Sequence, residues 1–352
     1  VQRTNYSASN GLNNPDQIIF VRSIPNQVTL RFDSKKIVSG IFYTLNVQGV
    51  KDRSNNTKVL TSTFFYAVKP GPGDIVITEL LADPYTGGED FVEIFNKSTK
   101  FLKLDSIILL NAQKSESRTL KTDFVLLPSK YVAVSANIPF LRSSYTPPDS
   151  ASLISAAIPS LNIESGNISI IAQLPSGTLI TLDSFDYNQK MHFLLIDATK
   201  GVSLERISNS APTNDPNNWH SASTLSKFAT PGYKNSNYLD KNNTSIESIG
   251  ILPDKKVFTP NGDGVDDFIL LDYKTDKPGY LATIRIFDAE GFPVADLANN
   301  FLLGSEGSIK WDGVEGEGKI ARLGMYIIQS KLFHPDGDVK MFKSVVVAAD
   351  NF

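Results

Sequence analysis

Residues 257–268 read VFTPNGDGVDDF, with three aspartates, an asparagine and two glycines close together. Calcium takes six to eight oxygen ligands, and a calcium loop alternates carboxylates with a glycine at the sharp turn. Asn261, Asp263, Gly264 and Asp267 fit positions three, five, six and nine of such a loop. Thr259 would stand at one, and Leu270 replaces the bidentate acid at twelve. Asn261, Asp263 and Asp267 are therefore candidate ligands for Ca2+. The alternative is a turn opened by Pro260, whose Asn and Asp side chains cap backbone N–H groups. Catalysis by these aspartates would need a base or nucleophile, and none is near in sequence.

A second group of acids is Glu79, Asp83, Glu89, Asp90 and Glu93, around the turn DPYTGGED. A glycosidase pair needs two carboxyls across a cleft with pKa values pushed apart. The plainer reading is solvated turn acids, with strand-end acids bonding backbone. Glu205 and Arg206, in GVSLERIS, read as structural ion-pair formers. Trp219 and His220 are a candidate stacking site for a sugar or base; the alternative is an indole that closes a core. Serines lie beside His220, but there is no G-x-S-x-G elbow and strand neighbours point to opposite faces, so no triad is expected. His192, His220 and His334 stand far apart in sequence, and none forms H-E-x-x-H. With no cysteine, thiol catalysis, disulfides and Cys-ligated zinc are excluded.

These side chains need a frame, and strand signals supply it. QVTLRF, YTLNVQGV, DIVITELL, DFVEIFN, YVAVSA, NISIIAQL, TLITLDSF, ATIRIFD and GMYIIQSKLF are short and rich in β-branched and aromatic residues. Turn residues separate them, and helix patterns are confined to NIPFLRSSY. The pattern predicts an all-β protein of sandwiches. Alternation places Ile75 and Ile77 on one face with Glu79 in register. It sets Val92 and Ile94 against Phe91, Glu93 and Phe95. A length of 352 residues suits two or three domains. AVKPGPGD at 67–74 reads as a hinge, and the polar run TPGYKNSNYLDKNNTS at 230–245 as linker-like. No apolar run reaches the roughly 18 residues of a membrane span. Net charge is −3, the last third is acidic and no basic run exists, so no nucleic-acid partner is expected. The opening VQRTNYSASN has neither an initiator Met nor a signal pattern, which predicts a mature product or a fragment.

Three resemblances follow from longer motifs. Tyr43 to Asn56, in YTLNVQGVKDRSNN, resembles the later part of bacterial Ig-like domains of surface-layer and secreted proteins. That implies a partial domain lacking its opening strand, with an exposed edge. Residues 72–238 resemble the lamin-tail domain, an Ig-like sandwich, through Glu79, FVEIFN with Glu93 and Asn96, GVSLERI with Glu205 and Arg206, Trp219 and the closing TPGYKNS. The resemblance implies binding or spacing. Residues 246–352 resemble the Ig-like domain of flagellar hook scaffolding proteins through WDG and the glycines after it. They also resemble the gliding-motility-associated C-terminal domain of Bacteroidetes-type exported proteins through FTPNGDG. The second implies an address read by the type IX secretion system. Trp311, Asp312 and Gly313 would end a strand at a turn with the indole packed inside. DSI at 105–107 and DSA at 149–151 resemble O-glycosylation sites of such proteins; Ser106 is expected inside a strand, and Ser150 is better placed.

The expectation is three Ig-like β-sandwich domains in series: a partial bacterial Ig-like domain at 1–70, a lamin-tail-like sandwich at 71–238, a linker at 239–247 and a C-terminal Ig-like domain at 248–352. The expected role is a non-catalytic C-terminal region of an exported cell-surface protein, a spacer or adhesive module with a sorting or anchoring end. Expected partners are a surface or extracellular protein or glycan and the secretion machinery. The alternatives are an accessory region of a secreted hydrolase whose catalytic domain lies elsewhere, and a calcium-dependent carbohydrate-binding module.

Overall fold

The computed structural model describes residues 2–24, 26–52, 54–174, 176–239, 249–315 and 318–350. The protein is all-β, with one α-helix among the described residues. At the N-terminal end, Tyr6–Ala8, Phe42–Val47 and Leu60–Phe65 form an antiparallel sheet, and Gln17–Phe20 pairs with Val28–Arg31 in a separate hairpin. Their core is small: Ala8, Leu12 and Tyr43, with Phe32, Ile37 and Phe64 against them.

The middle sandwich has two sheets. The six-stranded sheet runs in the order Leu153–Ser155, Tyr131–Ser135, Phe91–Asn96, Ile75–Leu81, Leu204–Arg206, Trp219–Ser221. The four-stranded sheet runs Glu116–Thr119, Ile108–Asn111, Ser165–Gln173, Leu179–Asn188. Between them Ile75, Ile77, Val92, Ile94 and Val132 meet Leu109, Ile168, Ile170 and Phe185. The other face of the larger sheet carries Leu81, Phe91 and Ala133, covered by the helix Ile138–Tyr145 through Leu141 and Tyr145. Asn137 caps that helix by accepting from the Phe140 N–H at 3.1 Å.

In the last sandwich, Gly250–Pro253, Ile269–Lys274 and Glu306–Trp311 face a five-stranded sheet of Val257–Phe258, Val339–Ala348, Gly324–Phe333, Leu281–Asp288 and Pro293–Leu302. Period-two burial fills the interior: Ile269, Leu271, Ile309 and Trp311 from one sheet, Ile284, Ile286, Tyr326, Ile328 and Val346 from the other.

The junctions are tight. Phe42, Phe65 and Phe101 cluster at centroid distances of 4.7–5.7 Å. Ser39 Oγ accepts from the Phe101 N–H at 2.8 Å. A Cβ on Gly40 would lie 2.1 Å from the Thr99 carbonyl oxygen, so only glycine permits this approach. Between the middle and last sandwiches, the Ser305 N–H donates to Ser236 O at 2.7 Å, Ser223 Oγ donates to Leu302 O at 3.0 Å, and the Leu302 N–H donates to Thr224 Oγ1 at 3.0 Å. Lys234 pairs with Glu306 at 2.7 Å. The expected linker at 239–247 lies, beyond residue 239, outside the described residues.

A buried glutamate row as the candidate functional site

The strand Ile75–Leu81 does not keep the simple alternation that its sequence suggests. A bulge leaves Thr78 unpaired, so that Ile77 faces Ile94 while Glu79 faces Glu93 and Leu80 faces Val92. One extra residue on one strand moves everything after it to the opposite face. Glu79 therefore does not share the face of Ile75 and Ile77, as alternation predicted; Leu80 takes that place in the core. On the next strand Glu205 pairs directly with Glu79. Glu93, Glu79 and Glu205 thus stand abreast on three adjacent strands, each 0% exposed.

Like charges opposite one another on a sheet are destabilising, and buried unpaired charges far more so. The run 228–237 resolves this by lying across the row. Glu205 accepts five hydrogen bonds: from Thr230 Oγ1 at 2.7 Å, the Ser236 N–H at 3.1 Å, Ser236 Oγ at 2.7 Å, and the N–H and Nδ2 of Asn237 at 2.9 and 2.8 Å. Every direction from its oxygens meets a donor, which suits an ionised carboxylate. Thr230 Oγ1 has one proton, committed to Glu205. Its longer contact, 3.2 Å to Glu79 Oε2, leaves Glu79 the weaker share of that hydroxyl. Glu79 Oε1 accepts from the Thr230 N–H at 2.8 Å and from Ser203 Oγ at 2.5 Å. Glu93 accepts from Thr78 Oγ1 at 2.7 Å and the Gly232 N–H at 2.8 Å. Burial, then the charge of Glu205, pushes the Glu79 carboxyl up to about 8. Burial, then Glu79, raises Glu93 well above the carboxylate range, and burial raises Glu205.

The linker reading of the polar run from residue 230 is thereby corrected as far as residue 237. Thr230, Asn235 and Asn237 are buried, because their polar atoms answer buried carboxylates instead of water. Glu79 and Glu93, read as strand-end acids that bond backbone, do accept backbone N–H groups, from Thr230 and Gly232. Asp83 and Glu89 lie in the turn, Asp83 3.9 Å from Lys200. Asp90 is half-buried, accepts from the Leu161 N–H at 3.2 Å, and is pushed up to about 6 by burial.

Glu205 and Arg206 point to opposite faces and do not pair with each other. Arg206 is buried and 3.5 Å from Asp183 across the sandwich. It also donates to Ile77 O at 3.0 Å and Ser208 O at 3.1 Å. Asp183 in turn accepts from the Ile77 N–H at 2.7 Å, the donor freed beside the bulge. Asn96 donates to Lys100 O and Leu126 O and accepts from Ser98, closing its own turn. Trp219 is 3% exposed and stacks on Phe185 at 3.7 Å, with Nε1 donating to Thr213 O at 2.6 Å. Its indole is thus part of the core and offers no open face for a sugar or base. His220, by contrast, faces the last sandwich beside Gly279.

In the loop 259–267, Asp267 accepts from the Gly262 N–H at 2.6 Å and the Gly264 N–H at 2.7 Å, one on each oxygen. Asp263 accepts from the Val265 N–H at 2.8 Å and Asn261 from the Asp263 N–H at 3.0 Å. These carboxylates cap their own turn. Among the described residues no group of three or more His, Asp or Glu side chains is arranged to hold a metal ion. Trp311 is buried between Phe258 and Tyr326, at 5.0 and 5.2 Å, and Nε1 donates to Val314 O. Asp312 accepts from the Val314 N–H. Gly313 has φ +73°, and a Cβ there would come 2.7 Å from Pro260. The WDG turn and the FTPNGDG loop therefore pack on each other. Ser106 lies in a turn at φ +69° and not in a strand; Ser150 is exposed in a turn.

No family model matches the chain, and no curated protein matches it. Among solved structures, a DUF4876 family protein from Bacteroides thetaiotaomicron is 15% identical over 63% of this chain and 86% of its own, with a TM-score of 0.27. Dimeric latent PorU from Porphyromonas gingivalis is 11% identical over 98% of this chain and 29% of its own, with a TM-score of 0.24. A Ca2+-stabilised adhesin, with which an Antarctic bacterium binds ice, is 10% identical over 88% of this chain and 57% of its own, with a TM-score of 0.19. TM-scores this low carry no argument about the present chain.

Proposed function

We propose that the chain is a non-catalytic spacer of an exported cell-surface protein, its sheet units stacked in series and joined into a stiff array. The observation that supports this reading most is the use made of the reactive side chains. Glu79, Glu93 and Glu205 are sealed from solvent, and Ser236, which bonds Glu205, also accepts from Ser305 of the last sandwich. A group that must touch substrate needs a cleft, whereas a group that fixes a junction needs burial and partners. On this reading the middle sandwich, lamin-tail-like, offers its surface to an extracellular protein or glycan, and the last sandwich addresses or anchors the chain. Among the described residues no helix is long and apolar enough to cross a membrane. Calcium at Asn261, Asp263 and Asp267 would stiffen the last sandwich further, at the cost of the turn-capping bonds.

A fluorescent cargo fused ahead of the chain tests the reading in an exporting host. The full chain should place the cargo at the cell surface, and a version ending at residue 239 should retain it. Equal surface display of both versions would remove the addressing role. Hydrolysis of a glycoside or ester panel by the purified chain would overturn the non-catalytic assignment.

A further inference from the structure

Of the chain's three histidines, His220 and His334 meet at the junction of the two sandwiches, and His192 lies near His220 within the middle one. His192 Nδ1 lies 2.9 Å from Ser221 Oγ. His220 holds Nδ1 3.0 Å from Ser221 O, and its ring tilts against Phe193 at 5.3 Å. His334 arrives from the last sandwich with Nε2 3.1 Å from Pro278 O and Nδ1 2.8 Å from Asp336 Oδ1. Gly279 sits between the two sandwiches. A Cβ there would meet His334 Nε2 at 3.1 Å and His220 Nε2 at 3.3 Å, so two imidazoles from different sandwiches converge on one point. The cleft around them, about 770 Å³, is lined by His220, His334, Lys277, Pro278 and Lys190 among others.

We propose that this junction is an acid-released latch: the last sandwich docks on the middle one while His220 is neutral, and undocks as His220 takes up a proton beside His334. The charged surroundings favour release over capture. From its own sandwich His220 faces His192 and Lys190; from the other it faces His334 and Lys277. The nearby acids are already engaged. Asp336 is bound by Lys277 and His334, and Asp338 by Tyr280 and Lys340. Those partners hold both carboxyls below the usual range, so neither acid titrates in the window concerned. Burial, and then the proximity of His334, lowers His220 to about 4; burial, and then His220, lowers His192 to about 4.

The sign follows from linkage. The docked form binds the His220 proton with a midpoint of about 4, whereas an exposed imidazole binds it at about 6.5. The open form therefore gains as pH falls through that interval, and docking is favoured above it. The opening equilibrium should rise about 100-fold between about pH 7.5 and about pH 4.

Amide exchange reads that equilibrium in the full chain. The Ser305 and Leu302 N–H groups donate across the junction, so their protection reports its opening. After correction for intrinsic rates, their protection should fall about 100-fold over this range, while the Ile284 amide in mid-sheet falls less than about tenfold. His220→Gln should abolish most of that acid dependence, and His334→Gln should reduce it. Because either variant can dock poorly, the His220 ring is also titrated by NMR in the wild-type chain, with a midpoint below about 5 expected. A midpoint near 6.5, pH-independent protection at Ser305 and Leu302, or equal loss of protection at Ile284 would each overturn the latch.

Discussion

Glu79, Glu93 and Glu205 differ in the donors that meet them, and substitution can separate them. Glu79→Gln keeps the shape of a neutral carboxyl and should stay within about 1 kcal/mol of wild type in thermal denaturation. Glu205→Gln sets an amide N–H2 against the donors that now meet a carboxylate, and should lose about 3 kcal/mol. The pH dependence has a definite sign. The folded state raises Glu79 from 4.5 to about 8, so its stabilising contribution is complete below the unfolded pKa and is lost as pH rises through about 8. The melting-temperature contribution of Glu79 should therefore fall progressively from about pH 4.5 to about pH 8 and level off above, and Glu79→Gln should flatten that part of the profile. Asp267 bonds backbone through both oxygens. Asp267→Ala should cost about 1–2 kcal/mol, equally with EDTA and with calcium. A calcium-dependent rise in the wild-type melting temperature, absent from the variant, would instead restore Asp267 as a ligand.

At the scale of elements, one unpaired residue decides where the acids go. Deleting Thr78 would remove the bulge and leave a regular strand, with Ile75, Ile77 and Leu80 still on the core face and Glu79 still opposite Glu93; the bond from Thr78 Oγ1 to Glu93 would be lost. The middle sandwich should then still melt cooperatively with protection kept at Val92 and Ile94, at a stability lowered by the lost bond to Glu93. This is also where the sequence stops being legible. The all-β class follows from short alternating runs, and ATIRIFD and GMYIIQSKLF form strands with the inside and outside residues that alternation requires. The helix Ile138–Tyr145 likewise shows its cap and its first-turn proline in NIP. A bulge carries no such signature, because ITELL reads as uninterrupted alternation. The glutamates could be picked out by type, but not their adjacency, which depends on a register shift and on pairing with a strand more than a hundred residues away. The run 230–237 misled for a related reason. Its Thr, Ser and Asn side chains are those of a solvated loop, and only the buried carboxylates beneath them explain why they leave water.

Across the whole molecule, close backbone approach sets the junctions. A Cβ on Gly304 would lie 2.3 Å from Ser236 O, and its φ is not in the left-handed region. Gly304→Ala should therefore act by steric separation more than by backbone strain. The Ser305 amide should exchange at least about tenfold faster, while both cores keep their protection. The same junction has a mechanical consequence. A pull on the last sandwich enters the middle one through Ser305 and Lys234 onto the run 230–237, and from there passes into three neighbouring strands by way of Glu79, Glu93 and Glu205. Tension divided among adjacent strands must shear several hydrogen bonds together, whereas tension on one edge strand would unzip them in turn. An array tethered at its end would thus yield abruptly and at higher load, and only after the carboxylate row had let go.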